Sequence, residues 1–254
     1  MCYDLVVSLG GNCSAAHNLQ FRGMRHCAYP FDWVAMSSGK CVAYLAKGFR
    51  DGFRDFMLEE NCELVPGNAA HRIIVKDAVL GFLFPNHFTR EDFHLEFLGV
   101  AAKMRRRLDR LMNDLARAKT VMLILAASRM AFEAEDLRAL EAAIRESFPG
   151  LKADIRVMRF SAESDSVEKM SECLAIYNCR RPMNDYDFYK TNFEWAFLDD
   201  VSLIAPENRE NAAVRHKEVL AKYNAKNRRE LFVNRMVYRL YRHFLKSVKR
   251  RGIV

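Results

Sequence analysis

The chain reads as stretches of two kinds, short runs that are almost wholly apolar and longer segments with an apolar residue every three or four positions. Asp4 to Ser8 is an apolar run ending at Gly10-Gly11, the pattern of a strand followed by a tight turn. Asn12 can cap a helix over Ser14 to Phe21, with Gly23 as its stop. Tyr29-Pro30-Phe31-Asp32-Trp33 is an aromatic loop around a proline. Residues 40–47 and 51–59 read as short helices. Arg72 to Val75 and Ala78 to Phe84 read as a hairpin across Lys76-Asp77, although that turn lacks the favoured glycine. After a turn at Phe84–Phe88, Thr89 can cap an amphipathic helix to about Ala118, with Phe93, Phe97, Val100, Met104, Leu108, Leu111 and Leu115 in period. Thr120 to Ala127 is nearly all apolar, as in a strand covered on both faces. Glu133 to Phe148 is a further amphipathic helix, ended by Pro149-Gly150. Ala153 to Phe160 and Phe197 to Ile204 read as strands. Strands alternating with helices predict an α/β layered sheet with flanking helices.

Half of the 254 residues are hydrophobic, enough for a sizeable core. The net charge of +8 is unevenly placed. Residues 213–254 carry 13 lysines and arginines against only Glu218 and Glu230, while the remainder holds 27 basic and 30 acidic residues. The expected organisation is therefore an α/β domain over 1–212 and a basic helical extension over 213–254. In that extension Leu231, Phe232, Met236, Val237, Leu240, Tyr241, Phe244 and Leu245 form an apolar stripe bordered by arginines and lysines. Such a helix can lie on an anionic membrane surface, bind a partner, or dock on its own domain. No zinc-finger spacing or aromatic RNA-binding strand accompanies it, so nucleic acid is not an expected partner. No apolar run reaches the roughly 18 residues of a membrane span, and the N-terminus has no signal-peptide pattern. Seven cysteines at positions 2, 13, 27, 41, 62, 173 and 179 form no CxxC pair. Reduced thiols and a cytoplasmic location, peripheral to the membrane if the tail binds lipid, are the expectation.

The residue best placed for chemistry is Cys13. A strand, a Gly-Gly turn and a cysteine at a helix start put a thiol where unpaired N–H groups favour its anion. Such a thiolate can attack a carbonyl, and the amides around Gly10 and Gly11 can hold the resulting oxyanion. The plain alternative is a small apolar residue packed beneath the first strand. The loop also admits an anion such as a sugar phosphate or nucleotide, which would make the protein a non-catalytic binding module. Asn12 and Cys13 stand where a dinucleotide-binding loop needs glycine, and no phosphate-loop lysine follows. A cysteine nucleophile needs a base. His87, in a turn between a strand and a helix, is the candidate, against the plain reading of a surface histidine. His17 lies four residues past Cys13 and is expected to point along the helix face. Arg25, Asp32 and Trp33 either line a pocket wall or form an internal salt bridge that orders the aromatic loop. No HExxH or paired CxxC suggests a metal, and no G-x-S-x-G suggests a serine hydrolase.

The stretch Val7-Ser8-Leu9-Gly10-Gly11-Asn12-Cys13, followed by Leu19, Gly23, Arg25 and Pro30-Phe31-Asp32-Trp33, resembles the family of papain-like cysteine peptidases. A weaker likeness runs through Phe84–Phe88 to the strand near 120–127. The resemblance implies a papain-like-related or Rossmann-like layered fold, with Cys13 as nucleophile, His87 as its base and Asn12 as an oxyanion donor. The Gly-Asn-Cys loop also resembles that of a capsular-polysaccharide acetyltransferase with a papain-like Cys–His pair. This implies an acyl transferase or hydrolase of surface-polysaccharide biosynthesis, with Gly10, Gly11, Arg25, Asp32 and Trp33 at the substrate. A peptide, glycan or small molecule is the substrate so implied, and an acyl-CoA the one cofactor admitted. The aspartate that the family shows after its histidine is absent, since Phe88 follows His87 directly. Asn86, Glu91 and Asp92 remain as orienting candidates.

Overall fold

The computed structural model describes residues 1–67, 73–85, 87–127, 132–160, 162–180 and 193–203, all within one compact unit, Met1–Glu207. The basic segment from 213 onward, Arg72, Asn86 and Ile204 lie outside the described residues. The strands are β1 (Cys2–Tyr3), β2 (Leu5–Ser8), β3 (Ala35–Met36), β4 (Cys62–Val65), β5 (Ile74–Asp77), β6 (Phe82–Phe84), β7 (Thr120–Ala127), β8 (Lys152–Phe160), β9 (Ser166–Lys169), β10 (Leu174–Cys179) and β11 (Ser202–Leu203). The helices are α1 (Ser14–Phe21), α2 (Lys40–Asp51), α3 (His94–Arg117), α4 (Ala134–Ser147) and α5 (Phe193–Ala196).

The main sheet has the order β2-β7-β8-β10-β9. Its first four strands are parallel, and β9 runs antiparallel to β10. The unbroken apolar run of β7 follows from cover on both faces. Val121, Leu123, Leu125 and Ala127 point into one cluster with α2, α3 and α4. Met122, Ile124 and Ala126 point into a second cluster with Ala15, Leu19, Trp195 and Leu198. The fold is thus a layered α/β arrangement with helices on both faces of a largely parallel sheet. No described helix is long and apolar enough to cross a membrane.

A small antiparallel sheet, β3-β6-β5-β4, lies in the segment between β2 and β7. Its register matters for the site. Ala35 pairs with Leu83, and Gly11 bridges Ala35 from the other side. Gly11, Ala35 and Leu83 therefore lie side by side on three adjoining chain segments, which puts the outer two about 10 Å apart.

Several expected elements differ. The expected helix over 51–59 is not formed: α2 continues to Asp51 and ends at Gly52, which is left-handed, and only Glu59 enters a short 3-10 turn, Glu59–Asn61. Phe53 and Met57 then take positive φ. Phe53 is drawn into a cluster with Phe31 and Phe49, so aromatic packing overrides the helical period. The hairpin turns not at Lys76-Asp77 but at residues 78–81, where Asp77 Oδ1 accepts the Val79 and Leu80 N–H groups. Helix α3 begins at His94 rather than after Thr89, because Thr89 and Arg90 donate their N–H groups to the Glu96 carboxylate ahead of the helix. The last expected strand shrinks to β11, which pairs with β1. Strands β3, β4, β9 and β10 were not foreseen by the sequence pattern.

Candidate functional site

The loop after β2 is fastened to two neighbours at once. Leu9 N–H donates to Ile124 O (2.7 Å) and Ala126 N–H to Gly10 O (2.9 Å), while Met36 N–H donates to Gly11 O (3.2 Å). Gly10 and Gly11 have φ of 87° and 93°, a region that side chains avoid. A Cβ on Gly11 would sit 2.2 Å from the Ala126 carbonyl oxygen. The two glycines therefore let the chain pass between β7 and the 34–36 segment and turn into α1.

Cys13 is the N-cap residue of α1 and is half-buried. It lies just beyond the carboxyl ends of the parallel strands β2 and β7, where open α/β sheets bind ligands. Asn12 is buried, and its amide is largely committed: Nδ2 donates to Ala126 O (2.8 Å) and Oδ1 accepts Ser14 N–H (2.7 Å). Its Oδ1 takes the first N–H of α1 from the position before Cys13, and its Nδ2 ties the loop to β7. One amide hydrogen is left for any oxyanion. Gly10 N–H is also used, by Ser8 Oγ (3.2 Å).

His17 N–H donates to Cys13 O (3.0 Å), so the two residues stand one turn apart on the half-buried face of α1. The His17 ring meets the edge of Trp33 at 4.8 Å. Burial first, and the charge of Arg25 second, push its pKa down to about 4.

His87 lies three residues past β6 and is only 7% exposed. The β3–β6 register brings it alongside Trp33, whose backbone favours the charged ring. Neither ring nitrogen makes a well-formed hydrogen bond among the described residues, and the Trp33 backbone is a near polar neighbour. Cys13 and His87 are thus joined by no hydrogen bond. The 33–36 segment touches the Cys13 loop at Gly11 and His87 at Trp33. Burial pushes the His87 pKa down to about 4, and the charges of Lys103 and Arg107 push in the same direction. Glu91 and Asp92 are exposed and do not orient the buried ring, and Asn86 lies outside the described residues.

Arg25, Asp32 and Trp33 form one unit. Asp32 is 1% exposed and accepts from Arg25 Nε (2.9 Å), Arg25 Nη2 (2.6 Å) and Tyr29 N–H (2.9 Å), all on Oδ2. The salt bridge orders the aromatic loop. The Arg25 guanidinium also lies 5.3 Å over the Trp33 ring. Burial raises the Asp32 carboxyl above the usual range, against the pull of Arg25. Among the described residues no group of three His, Cys, Asp or Glu side chains could hold a metal ion.

Sequence reading placed His17 on the face of the helix without giving it a role, and passed over Lys103 and Arg107. The four-residue spacings Cys13–His17 and Lys103–Arg107 were the available signals.

The two depressed histidines give a pH dependence with a definite sign. Unfolded, each imidazole titrates near 6.5; folded, near 4. Between those values the unfolded chain binds protons that the native one refuses. The stability each neutral ring contributes is full above pH 6.5 and is lost as the pH falls toward 4. Lowering the pH from about 7 to about 5 is expected to cost about 2 kcal/mol per histidine in urea unfolding, with His87→Gln removing roughly half the loss. A flat profile over that range would contradict the burial of both neutral rings.

A family model described as a putative papain-like cysteine peptidase matches residues 4–163. No curated protein and no solved structure matches the chain.

Proposed function

Because the chain belongs to the putative papain-like cysteine peptidase family, we propose that it catalyses acyl transfer or hydrolysis through a Cys13 thiolate, with His87 carrying the proton. The observation that carries this reading is the His87 ring. It is buried with neither nitrogen in a well-formed hydrogen bond, beside the Trp33 backbone of the segment that packs the Cys13 loop. A buried polar group left without a partner costs about 1–3 kcal/mol. That cost is recovered if the ring takes a proton or a hydrogen bond in the working complex, where catalytic contacts tighten.

The chemistry follows in balanced steps. The imidazole takes the thiol proton, and the sulfur attacks the acyl carbon. The tetrahedral oxyanion collapses, breaking the bond to the leaving group, which receives the proton from the imidazolium. The acyl thioester is then cleaved by water or by a second hydroxyl, with the imidazole again as base. Water makes the protein a hydrolase; a glycan hydroxyl makes it a transferase. The start of α1 favours the anion on Cys13 and the charge developing on the carbonyl oxygen.

The test is selective alkylation. Burial raises the pKa of Cys62 to about 12 and raises those of Cys41 and Cys173, so these thiols are poor nucleophiles at neutral pH. Exposed Cys2 is the main competitor. Limiting iodoacetamide at neutral pH, read by peptide mass spectrometry, is expected to modify Cys13 before Cys2, and His87→Gln is expected to slow it. Modification of Cys2 first, with Cys13 untouched, would defeat the proposal.

A further inference from the structure

One flank of α3 carries Lys103, Arg107, Arg110 and Asp114, spaced as neighbours on a helix surface. The loop preceding β3 lies along this stripe. At its far end the polar groups are paired: the Tyr29 hydroxyl donates to Asp114 Oδ2 (2.8 Å), and Arg110 donates to Ala28 O (3.4 Å). At the end next to His87 the pairing stops. Lys103 and Arg107 are partly buried, and both act on the His87 ring through their charge. Arg107 Nη1 is sealed from solvent with no hydrogen-bond partner among the described residues. The carboxylate that acts on Arg107 is Asp32, whose Oδ2 is already taken by Arg25 and Tyr29. Arg25 and Arg107 thus share one occupied carboxylate, and the carboxylate that acts on Lys103, Glu96, already accepts from Thr89 and Arg90.

Like charges held together and half out of water are unfavourable unless something pairs with them. The missing partner is an anion, and an arginine with free guanidinium hydrogens suits a two-oxygen group. We propose that Lys103 and Arg107, with His87 at their edge, form a subsite for an oxyanion group of the substrate, a phosphate or a carboxylate held beside the reacting carbonyl. The placement beside that carbonyl rests on the cysteine chemistry proposed above. The subsite has a consequence for the base. Before substrate arrives burial, with the two cations adding to it, keeps the imidazole neutral; a bound anion opposes the cations' field and makes His87 more basic. Substrate binding then prepares the group that must take the Cys13 proton.

The experiment uses the full chain carrying Cys13→Ala, so that no thiol chemistry interferes. Inorganic phosphate and acetate are titrated in turn, followed by the melting temperature and by the imidazole resonances of His87. Saturable binding that raises both the melting temperature and the His87 pKa is expected, with phosphate tighter if the group is a phosphoryl and acetate tighter if it is a carboxylate. Lys103→Gln and Arg107→Gln should each weaken binding about tenfold. Each should keep its melting temperature, because each also relieves repulsion. Equal affinity in the Lys103→Gln/Arg107→Gln double variant, or a His87 titration that ignores saturating anion, would overturn the subsite. An inert Cys13 in a chain that binds phosphate here would instead sink the cysteine chemistry and leave the subsite standing.

Discussion

Cys13→Ala is expected to reduce turnover of an activated ester such as p-nitrophenyl acetate by about 10⁴-fold, or to the uncatalysed rate. Three of the other thiols are poor substitutes. Cys41 and Cys179 are buried, and Cys62 is held in its protonated form by burial and by the nearby Asp77. The variant should fold. The bonds that fasten the loop run through Asn12 and through the backbones of Leu9, Gly10 and Gly11. Trimming a half-buried side chain to its methyl group should cost less than about 1 kcal/mol. Burst-phase release of p-nitrophenol from the wild type, absent in Cys13→Ala at an unchanged melting temperature, would establish the acyl-thiol step. A burst of equal size in the variant would assign the chemistry to another residue.

Gly11→Ala should do the opposite: lower stability sharply and reactivity with it. The new methyl group would stand 2.2 Å from the Ala126 carbonyl oxygen, well inside contact distance. That oxygen also receives the Asn12 amide, so retreat by β7 would break a second bond. The φ of 93° adds backbone strain that alanine cannot relieve. About 3 kcal/mol or more is expected from strain and clash together. Urea unfolding measures the loss, and iodoacetamide labelling of the folded fraction reports whether Cys13 is still presented. A midpoint within about 1 kcal/mol of wild type would show that the passage between β7 and the 34–36 segment is looser than the bonds across it imply.

The parts of this architecture visible in the sequence are those set by neighbours along the chain. The strand, Gly-Gly turn, Asn12 cap and helix α1 follow from local residue types, and the apolar run of β7 announces a doubly covered strand. Helix α4 carries its capping box at Glu133 and Asp136. What stayed hidden depends on distant partners. Strand β9 is exposed along its whole length and exists because β10 pairs with it. Phe53 leaves the helical region as its ring packs against Phe31 and Phe49. The site behaves likewise. Cys13 and the role of Asn12 as a cap were legible, whereas the second bond of Asn12, to Ala126, spans 114 positions. The link between the Cys13 loop and the strand leading to His87 runs through Ala35, which pairs with both Gly11 and Leu83. The Arg25–Asp32 pair was one of two readings, and the burial of Asp32 favours the ordering one. The stripe on α3 gave no signal in the sequence, since its unpaired end shows only once the aromatic loop is laid along it.

Strands β2 and β7 are adjacent in the sheet, yet more than a hundred residues separate them in the chain. On the ribosome, the first glycines emerge long before the strand that receives them has been translated. Until β7 docks, Gly10 has no Ala126 to bond and Asn12 has no carbonyl to hold. The thiol at position 13 is therefore a late product of folding, assembled with the long-range contacts that form slowly. A nascent chain stalled before residue 120 would carry the whole cysteine motif in its sequence and none of the geometry that gives it a purpose.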